Sequence, residues 1–173
     1  MIRSLKTEAI VLRKKDLLNK DVLISFFTES LGRLTVFAKG VKKITSRRSP
    51  HLQTGNLINV LVSHKNDRYY LQESQLISGF SELKKDEDKV KQLYLFLFIL
   101  DRLLPESQKE EHVYNLTKRF LIDLSPSTGT KRLGLLYYLN KLMNFLGYLH
   151  EDKNFNELKF FIEEIINEKI PLR

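Results

Sequence analysis

Residues 22–39 read VLISFFTESLGRLTVFAK and contain two alternating segments separated by a short turn. In the second segment Leu34, Val36 and Ala38 fall on one face, and the residues between them fall on the other. A period of two is typical of a half-buried strand, and the glycine of Ser30-Leu31-Gly32 can adopt the positive φ of a tight turn. The stretch therefore predicts a β-hairpin.

Three further segments have strand character, at residues 7–13, 57–64 and 68–77, and the last two are joined by a turn at Lys65-Asn66-Asp67. A long basic connection, residues 40–56, separates the third strand from the fourth. Five short strands with one long connection after the third favour a small Greek-key barrel of the OB type. An SH3-like barrel is the nearest alternative.

Beyond residue 80 the apolar residues recur every three or four positions, which is typical of helices packed on one face. Helices are predicted at 86–104, 109–124 and 131–149, and a fourth begins after Asn154, which has Glu157 three positions later as in a capping box. We therefore predict an α+β chain: a five-stranded OB-fold barrel in residues 1–80, followed by an all-helical domain of about four helices in residues 81–173.

The excess of positive charge is confined to the first half of the chain. The chain has 173 residues and a formal net charge of +8; residues 1–80 hold 14 Lys and Arg against 6 Asp and Glu, whereas residues 81–173 hold 15 of each kind. The densest segment, residues 39–48, has five basic residues and no acidic one. This asymmetry indicates a domain that binds phosphates, with a solvated basic surface as the alternative.

The sequence contains little that could support catalysis. It has no cysteine, no glycine-rich phosphate loop and no Gly-x-Ser-x-Gly element, and its four histidines are isolated from one another. We expect a non-catalytic protein without cofactor or metal. The longest apolar run, residues 93–100, is far shorter than the roughly 20 residues that span a bilayer, and the N-terminus does not resemble a signal peptide. The expected location is therefore the cytoplasm, without membrane contact.

A binding surface is predicted where basic and aromatic residues share the strands of the barrel. Phe37 and Tyr70 are candidates for base stacking, with packing as the alternative. The predicted phosphate contacts lie on the third and fifth strands, in the connection after the third strand and at the last turn: Arg33, Lys39, Lys42, Lys43, Arg47, Arg48, Lys65 and Arg68.

Several segments in order give the chain a recognisable pattern: residues 7–13, 21–29, 32–41, 71–77 and Gly147-Tyr148, together with Lys43 and Ser46-Arg47. This pattern resembles the bacterial recombination mediator RecO. The resemblance implies an OB-fold followed by a helical domain, binding of single- and double-stranded DNA, and strand annealing. It also implies loading of recombinase with a RecR-like protein and the single-stranded-DNA-binding protein SSB, no nucleotide cofactor, and a place at the bacterial nucleoid.

The resemblance has two further implications, one for a helical surface and one for a zinc module. Lys131, Arg132 and Lys141 on the third predicted helix are candidates for docking the acidic C-terminal tail of SSB, with a solvated helix face as the alternative. Many RecO proteins carry a four-cysteine zinc module after the Gly-Tyr element, whereas residues 149–154 here contain no cysteine. Two other functions remain open: an RNA-binding OB-fold protein, and an adaptor that docks an acidic protein.

Overall fold

The structure, a computed structural model, describes residues 3–18, 21–41, 49–125 and 134–171. Within these residues the strands are β1 (Arg3–Asp16), β2 (Val22–Thr28), β3 (Gly32–Ala38), β4 (Leu57–Lys65) and β5 (Arg68–Ser78). The helices are α1 (Glu87–Leu103), α2 (Glu111–Leu124), α3 (Leu135–Phe145) and α4 (Phe155–Ile166). A short 3₁₀ turn, Leu83–Lys85, precedes α1.

The five strands close into a barrel in the order β1-β2-β3-β5-β4. Neighbouring strands are antiparallel except β3 and β5, which run parallel and pair through Val36 with Tyr69 and Phe37 with Tyr70. The predicted OB-fold barrel followed by helices is confirmed.

Alternation along the predicted hairpin determines what fills the barrel. Val22, Ile24 and Phe26 of β2 and the alternate residues of β3 are fully buried in one cluster. Phe27, on the other face of β2, is also fully buried, although it does not belong to that cluster.

The first strand is longer than the predicted 7–13, because it pairs with two partners. Its first half, Arg3 to Ile10, pairs with β4, and its second half, Ala9 to Asp16, pairs with β2. The register with β2 shifts between Val11 and Arg13, which lets one strand turn from one side of the barrel to the other.

A threonine closes the turn between β2 and β3. The buried Thr28 hydroxyl donates to the Gly32 carbonyl at 2.8 Å and accepts from the Leu31 amide at 3.1 Å. Gly32 has φ +72°, which confirms the predicted turn glycine. At the other hairpin Asn66 and Asp67 both have positive φ, as a two-residue type I′ turn requires.

The chain divides into two compact units that do not follow it in two uninterrupted blocks. The first comprises Met1–Gly79 together with Leu104–Glu110, and the second comprises Phe80–Leu103 together with Glu111–Arg173. The segment 104–110, between α1 and α2, therefore belongs with the barrel, a feature that helical periodicity did not indicate.

This segment covers the part of the β3 edge that β5 leaves unpaired. The Ser107 amide donates to the Arg33 carbonyl at 2.8 Å, and Glu106 forms a parallel bridge with Arg33. The Glu106 carboxylate also accepts from the Thr35 amide at 3.1 Å. Exposed strand edges invite pairing with other chains, so residues 104–110 protect this edge.

Two of the helix ends have clear physical causes. Helix α3 ends earlier than predicted, because Gly147 adopts φ +79° and the Tyr148 and Leu149 amides donate back to the Met143 carbonyl. Helix α4 begins as predicted, with the Asn154 side chain accepting from the Glu157 amide at 3.1 Å. Among the helices that the structure describes, none has the length and apolarity needed to cross a membrane.

Candidate nucleic-acid interface

The parallel pairing of β3 and β5 places two aromatic rings side by side on the outside of the barrel. Phe37 and Tyr70 are register partners, and their ring centroids lie 5.9 Å apart at an interplanar angle of 34°. Both are half-buried. They point outward because Val36 and Leu71, their neighbours in the chain, belong to the barrel core.

Two cations flank these rings, each reaching across to the neighbouring strand. The Lys39 ammonium lies 5.6 Å from the centre of the Tyr70 ring, and the Arg68 guanidinium lies 5.5 Å from the centre of the Phe37 ring. Both basic residues are exposed. We call Phe37, Lys39, Arg68 and Tyr70 the β3–β5 cluster. Cation–π attraction of about 0.5–1 kcal/mol at such exposed sites favours keeping each charge over its ring.

Lys65 extends the positive charge of the cluster across the β4–β5 turn. It is the register partner of Arg68, and both side chains are exposed. The structure thus brings five of the sequence-predicted residues together on the outer surface of the barrel: Phe37, Lys39, Lys65, Arg68 and Tyr70.

The row of outward side chains continues across β2 to β1. Leu23 is the register partner of Phe37, and Lys15 is the register partner of Leu23. Lys15 is exposed and Leu23 is half-buried. Sequence reasoning missed Lys15, because its position depends on the register shift in β1, which no local pattern reports.

Arg33 lies apart from the β3–β5 cluster. It is half-buried, four residues before Phe37 on β3, which corresponds to roughly 13 Å along the strand. Its backbone is bonded to Ser107 and bridged to Glu106, so a carboxylate is close to this position. The structure therefore does not join Arg33 to the surface formed by Lys39 and Arg68.

Six predicted site residues lie outside the described residues: Lys42, Lys43, Arg47, Arg48, Lys131 and Arg132. Lys141, the remaining residue predicted to dock an SSB tail, lies on α3. It is half-buried, and its ammonium lies 5.8 Å from the centre of the Tyr137 ring.

Asp21 connects Leu17, just after β1, with the end of β3, and it was not among the site residues predicted from the sequence. Its carboxylate accepts from the Gly40 amide at 2.7 Å, and its carbonyl accepts from the Leu17 amide at 3.0 Å. One residue therefore links Leu17 to Gly40, which directly follows Lys39. The sequence feature that could have indicated this role is an acidic residue immediately before a strand without charged residues.

The described residues offer no evident metal site, since they contain no group of three or more His, Asp or Glu side chains that could surround an ion. The buried Asp123 carboxylate interacts with two protein side chains. It accepts from the Tyr138 hydroxyl and lies 3.0 Å from the Arg119 guanidinium. Burial, followed by the contact with Asp123, raises the pKa of Tyr138 well above its usual value. This network links α2 to α3.

A closed five-stranded barrel in the order β1-β2-β3-β5-β4, joined to a helical unit, defines a protein of the OB-fold class. The family described as "Recombination protein O N terminal" matches residues 1–80. This match confirms the resemblance to RecO found in the sequence.

The similarity to curated proteins continues into the helices. The chain is 30% identical over 148 residues to the DNA repair protein RecO of Caldanaerobacter subterraneus subsp. tengcongensis, an alignment that covers 86% of this chain and 60% of that protein. It is 28% identical over 153 residues to the RecO of a Thermoanaerobacter species, covering 88% and 62% respectively. The RecO of Syntrophus aciditrophicus is 25% identical over 145 residues, covering 83% and 56%. The chain thus spans about 60% of the length of these relatives.

Proposed function

We propose that this chain is a non-catalytic DNA-binding protein of recombinational repair that holds single- and double-stranded DNA on the outer face of its barrel. The observation that carries the proposal is the β3–β5 cluster, in which two cations flank two adjacent aromatic rings. The names of the relatives, DNA repair protein RecO, support the same role. Residues 1–80 would act as the DNA-binding domain, and the site of action would be the nucleoid in the bacterial cytoplasm.

The chemistry of the cluster fits a polynucleotide without sequence preference. Lys39, Lys65 and Arg68 would neutralise backbone phosphates, which releases counterions and makes affinity fall steeply with salt. Lys42, Lys43, Arg47 and Arg48 would extend the same function. Phe37 and Tyr70 would offer ring faces to bases, where stacking contributes roughly 1–3 kcal/mol per base.

Annealing follows from the same charges. Two complementary strands repel each other through their phosphates, and a surface with several exposed cations lowers this repulsion without reading the bases. We propose that the chain brings strands together in this way and needs no nucleotide cofactor. A duplex-formation assay with complementary strands, with and without SSB, measures this step separately from binding.

The helical unit would serve as the docking surface for protein partners. For the acidic SSB tail we propose the exposed side of α3, where Lys141 and the partly exposed Tyr137 present a cation beside an aromatic ring. Lys131 and Arg132 would add charge to it. A RecR-like protein is the second proposed partner, and recombinase loading would require both. Loss of SSB-peptide binding in Lys141→Glu, with DNA affinity retained, would support this assignment.

The test is fluorescence anisotropy with a labelled single strand of about 30 nucleotides, which exceeds the site size of one OB fold. Affinity should fall steeply as salt rises. Arg68→Ala should reduce the slope of log affinity against log salt by about 0.7, the value for one single-strand phosphate contact. Phe37→Ala should lower affinity by about 1–3 kcal/mol while leaving the slope unchanged.

The matched control is Lys6→Ala. Lys6 is also an exposed lysine on an outward position of the barrel, but it is the register partner of Leu61 on β4 and lies away from β3. Equal effects of Arg68→Ala and Lys6→Ala would contradict the assignment of the cluster. Preference for RNA over DNA at equal salt would favour the RNA-binding alternative, and negligible binding of either would favour the adaptor.

A further inference from the structure

Leu18 is the most exposed large apolar side chain that the structure describes. Its side chain is 87% exposed, whereas the next, Phe160, is 60% exposed. Single apolar residues on a surface are common, so exposure alone assigns no role. The position of Leu18 relative to the β3–β5 cluster is the observation that suggests a role.

Leu17 and Asp21, on either side of Leu18 in the sequence, are bonded to each other and to the residue after Lys39. The Leu17 amide donates to the Asp21 carbonyl, which closes the base of the loop. The Asp21 carboxylate accepts from the Gly40 amide, which fastens the same base to the residue after Lys39. Lys39 in turn lies over the Tyr70 ring. Leu18 therefore directly follows a residue that is linked, through Asp21 and Gly40, to the strand end beside the two stacking candidates.

The register supports this placement independently. Leu23, two residues after Asp21, is the partner of Phe37, and Lys15, three residues before Leu18, is the partner of Leu23. Two residues of a strand span roughly 7 Å, so the base of the loop is within the reach of a nucleotide from the Phe37 ring. A strand lying along the row from Lys15 to Tyr70 would pass this loop.

We infer that Leu18 inserts between adjacent bases of a DNA strand held on the β3–β5 cluster. An isobutyl side chain gains nothing from a phosphate, so the part of a polynucleotide that it fits is the apolar face of a base. Leucine is among the side chains that proteins insert as wedges between base steps, partly unstacking them. The surrounding cations would hold the backbone while the wedge separates the bases. This inference rests on the proposed DNA-binding function.

The test uses single strands that carry 2-aminopurine, whose fluorescence increases when it is unstacked from its neighbours. The unmodified chain should increase that fluorescence on binding, and Leu18→Ala should abolish most of the increase. Affinity should fall about fivefold, as expected for losing a partly buried leucine, and the salt slope should stay unchanged because no charge is removed. Leu18→Met should retain the fluorescence change.

Leu76→Ala is the matched control, since Leu76 is an exposed leucine on the far half of β5, where it pairs with Ile58. It should alter neither affinity nor fluorescence. DNA binding with an undiminished 2-aminopurine signal in Leu18→Ala would overturn this inference and leave the proposed function intact. Failure of the unmodified chain to bind any strand would overturn both.

Discussion

Replacing Gly32 with alanine should destabilise the barrel, because this position combines a left-handed backbone with a close approach of another segment. Gly32 has φ +72°, and a Cβ added there would lie 1.7 Å from the Gln108 carbonyl oxygen and 2.4 Å from its carbon. Both atoms are backbone, so a change of side-chain rotamer cannot relieve the overlap. The segment 104–110 would have to leave the edge of β3.

The expected loss of unfolding free energy is the sum of two contributions. An alanine in the left-handed region costs about 1–2 kcal/mol. Displacing the segment also breaks the hydrogen bond from the Ser107 amide to the Arg33 carbonyl and the exposed one from the Thr35 amide to Glu106, which together contribute about 1–2 kcal/mol. Gly32→Ala should therefore lower the free energy of unfolding by about 2–4 kcal/mol.

Urea unfolding followed by circular dichroism measures this loss, and amide hydrogen exchange shows its location. The amides of Thr35 and Ser107 should exchange faster in the variant. Gly147→Ala is the matched control, because Gly147 also has positive φ, at +79°, but its added Cβ would meet nothing within 4 Å. Gly147→Ala should lower the free energy of unfolding only by the cost of an alanine in the left-handed region, about 1–2 kcal/mol. Equal losses in the two variants, or unchanged exchange at Ser107, would refute the close approach as the cause.

Two further variants test buried polar groups in the helical unit. Tyr138→Phe should cost about 1–3 kcal/mol by removing the hydroxyl that donates to Asp123. Because the pKa of Tyr138 is raised from the usual 10.0, its contribution is complete below that pH and is lost as the pH rises above it. The difference in unfolding free energy between the two proteins should therefore shrink in alkali; a constant difference would contradict the network. Asn140→Ala should cost about 2–4 kcal/mol, since its side chain bonds both the amide and the carbonyl of Lys153 at 2.9 Å. Faster proteolysis at residues 149–154 would accompany that loss, and unaltered proteolysis would count against the role assigned to Asn140.

Much of the barrel could be predicted from local patterns, because each strand shows its burial in its own residues. The alternation of Leu34, Val36 and Ala38 matches the buried side of β3, and the two turns follow from residues that tolerate positive φ. The extent of β1 could not be predicted, since its outer residues are ordered by partners distant in the sequence. The placement of residues 104–110 is equally non-local: it depends on the unpaired edge of β3, which only the closed barrel reveals.

The candidate site, like the barrel, could be predicted only where its geometry follows from a local sequence pattern. That Phe37 and Lys39 share a face of β3 follows from alternation alone. The position of Tyr70 beside Phe37 depends on the parallel pairing of β3 and β5, which is fixed by barrel closure. The same pairing places each ring beneath a cation from the other strand. The separation of Arg33 from this group has the same origin, because its neighbour on that edge is Glu106 rather than a residue of β5.

A titration of the isotope-labelled chain with single-stranded DNA, followed through its backbone amide resonances, tests most directly whether the barrel binds DNA where we propose. The largest shifts should occur at the β3–β5 cluster and in the β1–β2 loop, and should diminish when salt is added. Shifts concentrated on the opposite outer surface, at Lys6, Leu61 and Glu73, or confined to the helices, would contradict the proposal.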